Sequence, residues 1–189
     1  MISIVPYNDC LYRNMYQYEY ITLLDTDEVI VPANLTNWSD LMEEVVKEAG
    51  GKVSWVFRNV YFFDEMLERE EGGYIPDIPP HLHMMQHVYR SHKQTPPGHY
   101  VKAFHDPSRV LTLHNHFPFS CLAGCAFHSV SPATAQLHHY REDCVADLRS
   151  VCQEQYKNVS VRDTSIWAVR ETVVREAETA LTTIGVSLS

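Results

Sequence analysis

Tyr18-Glu19-Tyr20-Ile21-Thr22-Leu23-Leu24-Asp25-Thr26-Asp27-Glu28-Val29-Ile30-Val31-Pro32 is the stretch on which the fold turns. Its first half is rich in aromatic and branched residues and ends at a cluster of acids, the pattern of a buried strand with a polar C-terminal end. In α/β sheets, function gathers at such ends. On an extended strand, residues two apart project to the same side, so Asp25 and Asp27 would offer two carboxylates to one cation. Hard cations such as Mn2+ or Mg2+ take oxygen ligands and bind phosphates through one or two protein carboxylates. Three acids within Asp25–Glu28 repel one another unless a cation or a basic group compensates. A solvated acidic turn is the plain alternative.

Beyond this stretch, Pro32 stops the Val29-Ile30-Val31 run. Thr36 to Ser39 offers caps for a helix running to about Ala49, with Leu41, Met42, Val45 and Val46 as its apolar face and Gly50-Gly51 closing it. Lys52 to Phe63 alternates and reads as a second strand or a strand pair. Glu65 to Pro97 is charged, then rich in Gly, Pro and His, and reads as a long loop or flap. Tyr100–Phe104 and Val110–His114 read as short strands about an Asp106-Pro107-Ser108 turn. From Asp163, a helix cap by type, Ile166, Val169, Val173, Ala177 and Leu181 recur at helical spacing. The expectation is one mixed α/β domain over residues 1–189.

With 45% hydrophobic and 21% charged residues the chain can bury a normal core. A net charge of -9, with no basic patch, argues against nucleic acid as a partner. No apolar run reaches the length of a membrane span, and the first residues are too short for a signal peptide. Three Asn-x-Ser/Thr sequons, at Asn34, Asn37 and Asn158, are of a kind modified in a secretory lumen. The five cysteines, Cys10, Cys121, Cys125, Cys144 and Cys152, are an odd number, so at least one lacks a partner within the chain. Cys121 and Cys125 invite a zinc reading, but no second ligand pair follows at finger spacing.

Four segments together resemble glycosyltransferase family 92. Asn8-Asp9-Cys10-Leu11-Tyr12-Arg13 is similar to the family's Asn-Asp-Cys segment, and Asp25-Thr26-Asp27-Glu28-Val29-Ile30-Val31-Pro32 to its Asp-x-Asp-Glu-Phe-Ile-x-Pro signature, with Val29 in place of Phe. Lys102, Pro107, Val110 and His116 fit a Lys-x4-Pro-x2-Val-x5-His pattern, and His138-His139-Tyr140-Arg141 contains a His-Tyr-Arg element. The resemblance implies a GT-A-like fold and a type II Golgi membrane enzyme that transfers galactose from UDP-galactose to a glycan acceptor with inversion. In family members a membrane anchor and a first βαβ portion that holds the uridine precede the Asn-Asp-Cys segment. The expectation is therefore a C-terminal catalytic part, with the anchor and the N-terminal nucleotide-binding portion outside this chain.

The resemblance also orders the site. Asp25 and Asp27 would hold Mn2+ or Mg2+, with His116 or His139 completing the shell. Lys102 and Arg141 are candidates to meet diphosphate oxygens. Asp9 and Arg13 are candidate donor contacts, although their spacing on a helix lets them pair with each other. Inverting transfer needs a base for the acceptor hydroxyl, and Asp64, Glu65 and Asp163 are the candidates. Two rival readings stand beside this one. His81-x-His83-x3-His87 suggests a metal-dependent hydrolase, but no His-Glu-x-x-His places a carboxylate base beside a His pair. A lectin-like or otherwise non-catalytic domain of the same fold is the third.

Overall fold

The computed structural model describes residues 4–69, 75–146 and 149–186. The chain opens with α1 (Ile4–Asn14), β1 (Ile21–Thr22), β2 (Glu28–Pro32), α2 (Trp38–Glu48), β3 (Ser54–Phe57) and β4 (Asn59–Phe63). A 3-10 helix (Asp64–Arg69), α3 (His83–Gln86), β5 (Tyr89–Ser91), β6 (Lys102–His105), β7 (Val110–Leu113) and β8 (Pro118–Cys121) follow. The last part holds β9 (Phe127–Ser129), β10 (Ala135–Arg141), α4 (Arg149–Cys152), a π-helical turn (Gln153–Lys157), β11 (Ser160–Arg162), a 3-10 helix (Ser165–Val169) and α5 (Arg170–Thr183). This is the mixed α/β architecture the sequence leads one to expect, consistent with a GT-A-like fold. The chain divides into two units, Met1–Val60 with Gln94–His139 and Tyr61–Lys93 with Tyr140–Ser189.

In the first unit a four-stranded sheet runs in the order β1-β6-β3-β9, with β3 and β9 parallel and the other pairs antiparallel. Every residue of β3 and β6 is buried, as expected of central strands. The pairing of Phe57 with Lys102 sets the register that delivers Lys102. β2 pairs antiparallel with β10, Pro32 against Ala135 through Glu28 against His139, so the same register brings His139 to the acidic segment.

Helix α2 forms where its caps and apolar spacing place it. Asn37 adopts extended backbone at φ -147°, and its Oδ1 accepts the N–H of Asp40 at 2.8 Å, satisfying one orphan donor of the first turn. Gly51, at φ +75°, turns the chain away after the helix. Leu41, Met42 and Val45 pack against Ile30, Trp55, Phe57, Phe104 and Leu137. Each such burial is worth about 2 kcal/mol, and Leu41→Ala, at a side chain that is fully buried, would cost at least that much.

The second unit gathers Tyr61, Phe63, Met66, Cys144 and Tyr156 into its core. β5 and β11 pair beside it, and Arg90 Nε donates to Asp163 Oδ2 at 2.6 Å next to that ladder.

Several elements differ from the sequence reading. The strand expected over Tyr18–Leu24 pairs only at Ile21 and Thr22, while Tyr18 is exposed and Leu23 and Leu24 pack sideways into two different clusters. Glu65–Pro97 is not one loop: it carries most of a 3-10 helix, then α3 and β5. The C-terminal helix begins at Arg170, not Asp163, and buries none of its residues. Asp163 Oδ1 instead accepts from the N–H and Oγ–H of Ser165, closing a local turn. Cys121 is bonded to Cys125 and Cys144 to Cys152, which replaces the zinc reading with two disulfides and leaves Cys10 free and exposed.

Candidate functional site

The acidic segment is a turn, not the end of an extended strand. The Glu28 N–H donates to the Asp25 carbonyl at 3.1 Å, and the Asp25 N–H donates to Glu28 Oε2 at 3.0 Å. Asp25 and Asp27 therefore do not share one face of a strand; each is positioned by its own partner.

Asp25 is held by Lys102. The Lys102 ammonium, 1% exposed, lies 2.9 Å from Asp25 Oδ2, 3.1 Å from Glu28 Oε2 and 2.6 Å from Asn115 Oδ1. Its three N–H donors thus have three acceptors inside the protein. A buried lysine of this kind supports the turn from behind and compensates the crowded carboxylates. Glu28, 4% exposed, and Asn115 are organising residues that sequence reasoning passed over, and Glu28 was visible only as the fourth letter of the acidic run.

Asp27 is held by His139. Asn59 Nδ2 donates to His139 Nδ1 at 3.1 Å, so His139 Nε2–H donates to Asp27 Oδ2 at 3.1 Å. Both aspartates keep nearly half of their side-chain surface open, 49% for Asp25 and 46% for Asp27, while Lys102 behind Asp25 is 1% exposed and His139 behind Asp27 is 14% exposed. Buried Asn59 Oδ1 has no hydrogen-bond partner among the described residues. Rotating that amide by half a turn would give Oδ1 a donor at His139 Nδ1 and present the Nε2 lone pair beside the Asp27 carboxylate. Asp27 and His139 would then each offer one atom to a divalent cation, while Asp25, Asp27 and His139 do not bring three ligand atoms together among the described residues.

The other sequence candidates lie elsewhere. His116 donates from Nδ1 to the Val101 carbonyl at 2.9 Å, and with Asp25, Asp27 and His139 it forms no cluster of three metal-ligand atoms among the described residues. Asp9 and Arg13 pair with each other at 2.8 Å on the exposed face of α1. Arg141 ends β10 and belongs to the second unit, as do Asp64, Glu65 and Asp163. Glu65 pairs with Lys157 at 3.0 Å, and Asp163 is taken up by Arg90 and Ser165. Asp64 lies with His83 and His87 in a group able to hold a metal ion. In the first unit a cleft of about 680 Å³ is lined by Tyr18, Tyr20, Trp38, Met42 and Phe104 among others.

An exposed aspartate pair in a short turn, backed by a lysine and a histidine from separate strands, matches more than local motif likeness: the model of glycosyltransferase family 92 covers residues 2–177. The chain belongs to glycosyltransferase family 92. No curated protein matches it. A family 92 chain is a transferase, and its class of reaction takes a sugar donor and a glycan acceptor. Among the described residues, no helix of this family 92 chain is long and apolar enough to cross a membrane.

Proposed function

We propose that the acidic turn holds the diphosphate of UDP-galactose and that the chain transfers galactose to a glycan with inversion, assisted by Mn2+ or Mg2+, in the Golgi lumen. The observation that carries this reading is the half-open Asp25–Asp27 pair braced by Lys102, Glu28 and His139. A bound cation would neutralise charge growing on the departing diphosphate. The chain's own part is to present Asp27 and His139 as ligands and to keep Asp25 in register through Lys102. Because those supports are already in place, little reorganisation is needed when the donor arrives. The cleft beside Tyr18 and Trp38 gives an acceptor's sugar rings aromatic faces to lie on. Of the base candidates, Asp163 is the least suited, since its carboxylate is 13% exposed and committed to Arg90 and Ser165. Two disulfides and exposed sequons support a luminal setting.

Calorimetric titration with UDP-galactose, with and without Mn2+, followed by a transfer assay that reads the anomeric configuration of the product, tests the reading. Mn2+-dependent binding and an inverted product are expected. Equal binding in the presence of chelator would remove the cation from the mechanism, and binding without transfer would favour a non-catalytic sugar-nucleotide domain.

A further inference from the structure

Three side chains that the acidic turn does not use meet in the second unit. Asp64 follows directly on β4, His83 opens α3, and His87 lies just past its end. One ligand atom from each lies within 4.8 Å of the others, and no other set of His, Cys, Asp or Glu does so among the described residues. Asp64 Oδ1 is 3.0 Å from His87 Nε2 and 3.6 Å from His83 Nε2.

The protons do not fit an ordinary hydrogen bond. His87 Nδ1 lies 2.9 Å from the His83 carbonyl oxygen, which can only accept, so Nδ1 carries the hydrogen. In a neutral ring Nε2 is then a lone pair, and it faces a carboxylate oxygen, also an acceptor, at 3.0 Å. At His139 a side-chain amide can exchange donor for acceptor; at His87 the partner is backbone and cannot. The His87 side chain is 0% exposed. A divalent cation between the two acceptors removes the conflict, because both lone pairs become ligands. An Nδ1–H bonded to a backbone carbonyl is also how proteins fix the tautomer of a metal-bound imidazole.

We propose that Asp64, His83 and His87 form a second cation site, separate in its residues from the acidic turn, for a borderline first-row ion such as Zn2+. Two imidazoles and one carboxylate suit Zn2+ or Co2+ far better than Mg2+, which demands oxygen ligands. The outer coordination position falls to water beside His83, whose side chain is 52% exposed. The ion fastens the end of β4 to α3 across a sequence separation of 23 residues.

The test adds Co2+ and then Zn2+ to the chelator-stripped 189-residue chain. It reads visible Co2+ absorption and its loss on displacement, in wild type and in His83→Ala, Asp64→Asn and Asp27→Asn. His83→Ala is the key variant, because it removes an exposed ring and keeps the carbonyl that orients His87; far-UV circular dichroism checks its fold. Co2+ at this site should give an intense low-coordinate band that Zn2+ abolishes, excess Mg2+ leaves intact and Asp27→Asn retains. Affinity should fall by about 100-fold in His83→Ala and by at least about 10-fold in Asp64→Asn, and be unchanged in Asp27→Asn. Absence of the band in wild type, affinity in folded His83→Ala within about threefold of wild type, or loss in Asp27→Asn would each overturn the proposal.

Discussion

Asp27 keeps 46% of its side-chain surface open and is met by His139 at 3.1 Å, so its carboxylate is placed for a ligand more than for the fold. Asp27→Asn should therefore lower kcat/KM by at least about 100-fold, near 2.7 kcal/mol, while the melting temperature barely moves. Unchanged turnover at saturating Mn2+ would remove Asp27 from the proposed mechanism. Lys102 is the opposite case. It is 1% exposed and faces Glu28, itself 4% exposed. Lys102→Met would strand a buried carboxylate and should cost about 3 kcal/mol in a urea unfolding curve. A loss confined to activity, with stability intact, would mean the ammonium serves the substrate and not the turn. The sequence marked Asp25, Asp27, Lys102 and His139 individually, but not who holds whom: that depends on the β2–β10 and β3–β6 registers, which pair residues far apart in the chain.

Helix α2 was the most legible element, because its cap, apolar spacing and terminal glycines all speak locally. Its cap also sorts the sequons. Asn37 uses Oδ1 for the Asp40 N–H and Nδ2 for the Asp40 carboxylate, both at 2.8 Å. A glycan on Nδ2 would disturb that cap, and Asn158 Nδ2 likewise donates to the Glu154 carbonyl at 3.0 Å, so occupancy is expected first at Asn34, then at Asn158, which caps no helix N-terminus, and least at Asn37. Mobility after glycosidase treatment of the three single Asn→Gln variants, expressed through a secretory route, reads this directly; a shift lost only in Asn37→Gln would reverse it. Asn37→Ala should cost about 1 kcal/mol. Strand β1 and helix α5 were the least legible. Tyr18–Leu24 has strand composition, yet its aromatic side chains serve a cleft and only two residues find a pairing partner. The apolar spacing of Val173, Ala177 and Leu181 is real, but none of these residues is buried among the described contacts, and periodicity alone cannot report that.

Across the chain, composition and pattern were enough for the mixed α/β class, whereas the antiparallel partners of each strand were not readable without the fold. The same non-local burial governs response to pH. His105 is 2% exposed, and desolvation lowers its pKa from 6.5 to about 4. A depressed histidine stays neutral in the folded state while the unfolded chain takes up a proton. Its contribution is thus intact above pH 6.5 and is lost as pH falls towards about 4, for a total of roughly 3 kcal/mol. Urea midpoints across that window should decline in wild type and decline less in His105→Leu. The lysine behind the acidic turn carries a practical consequence of another kind. Since an ammonium built into the chain already balances Asp25 and Glu28, stripping divalent ions should leave the turn standing and the protein's ellipticity and melting profile at the first unit's core unchanged. If the turn takes a cation as proposed, adding back a series of ions should restore donor affinity in an order that ranks them as partners of the turn; irreversible loss of donor binding after chelation would mean that the lysine does not preserve the turn by itself.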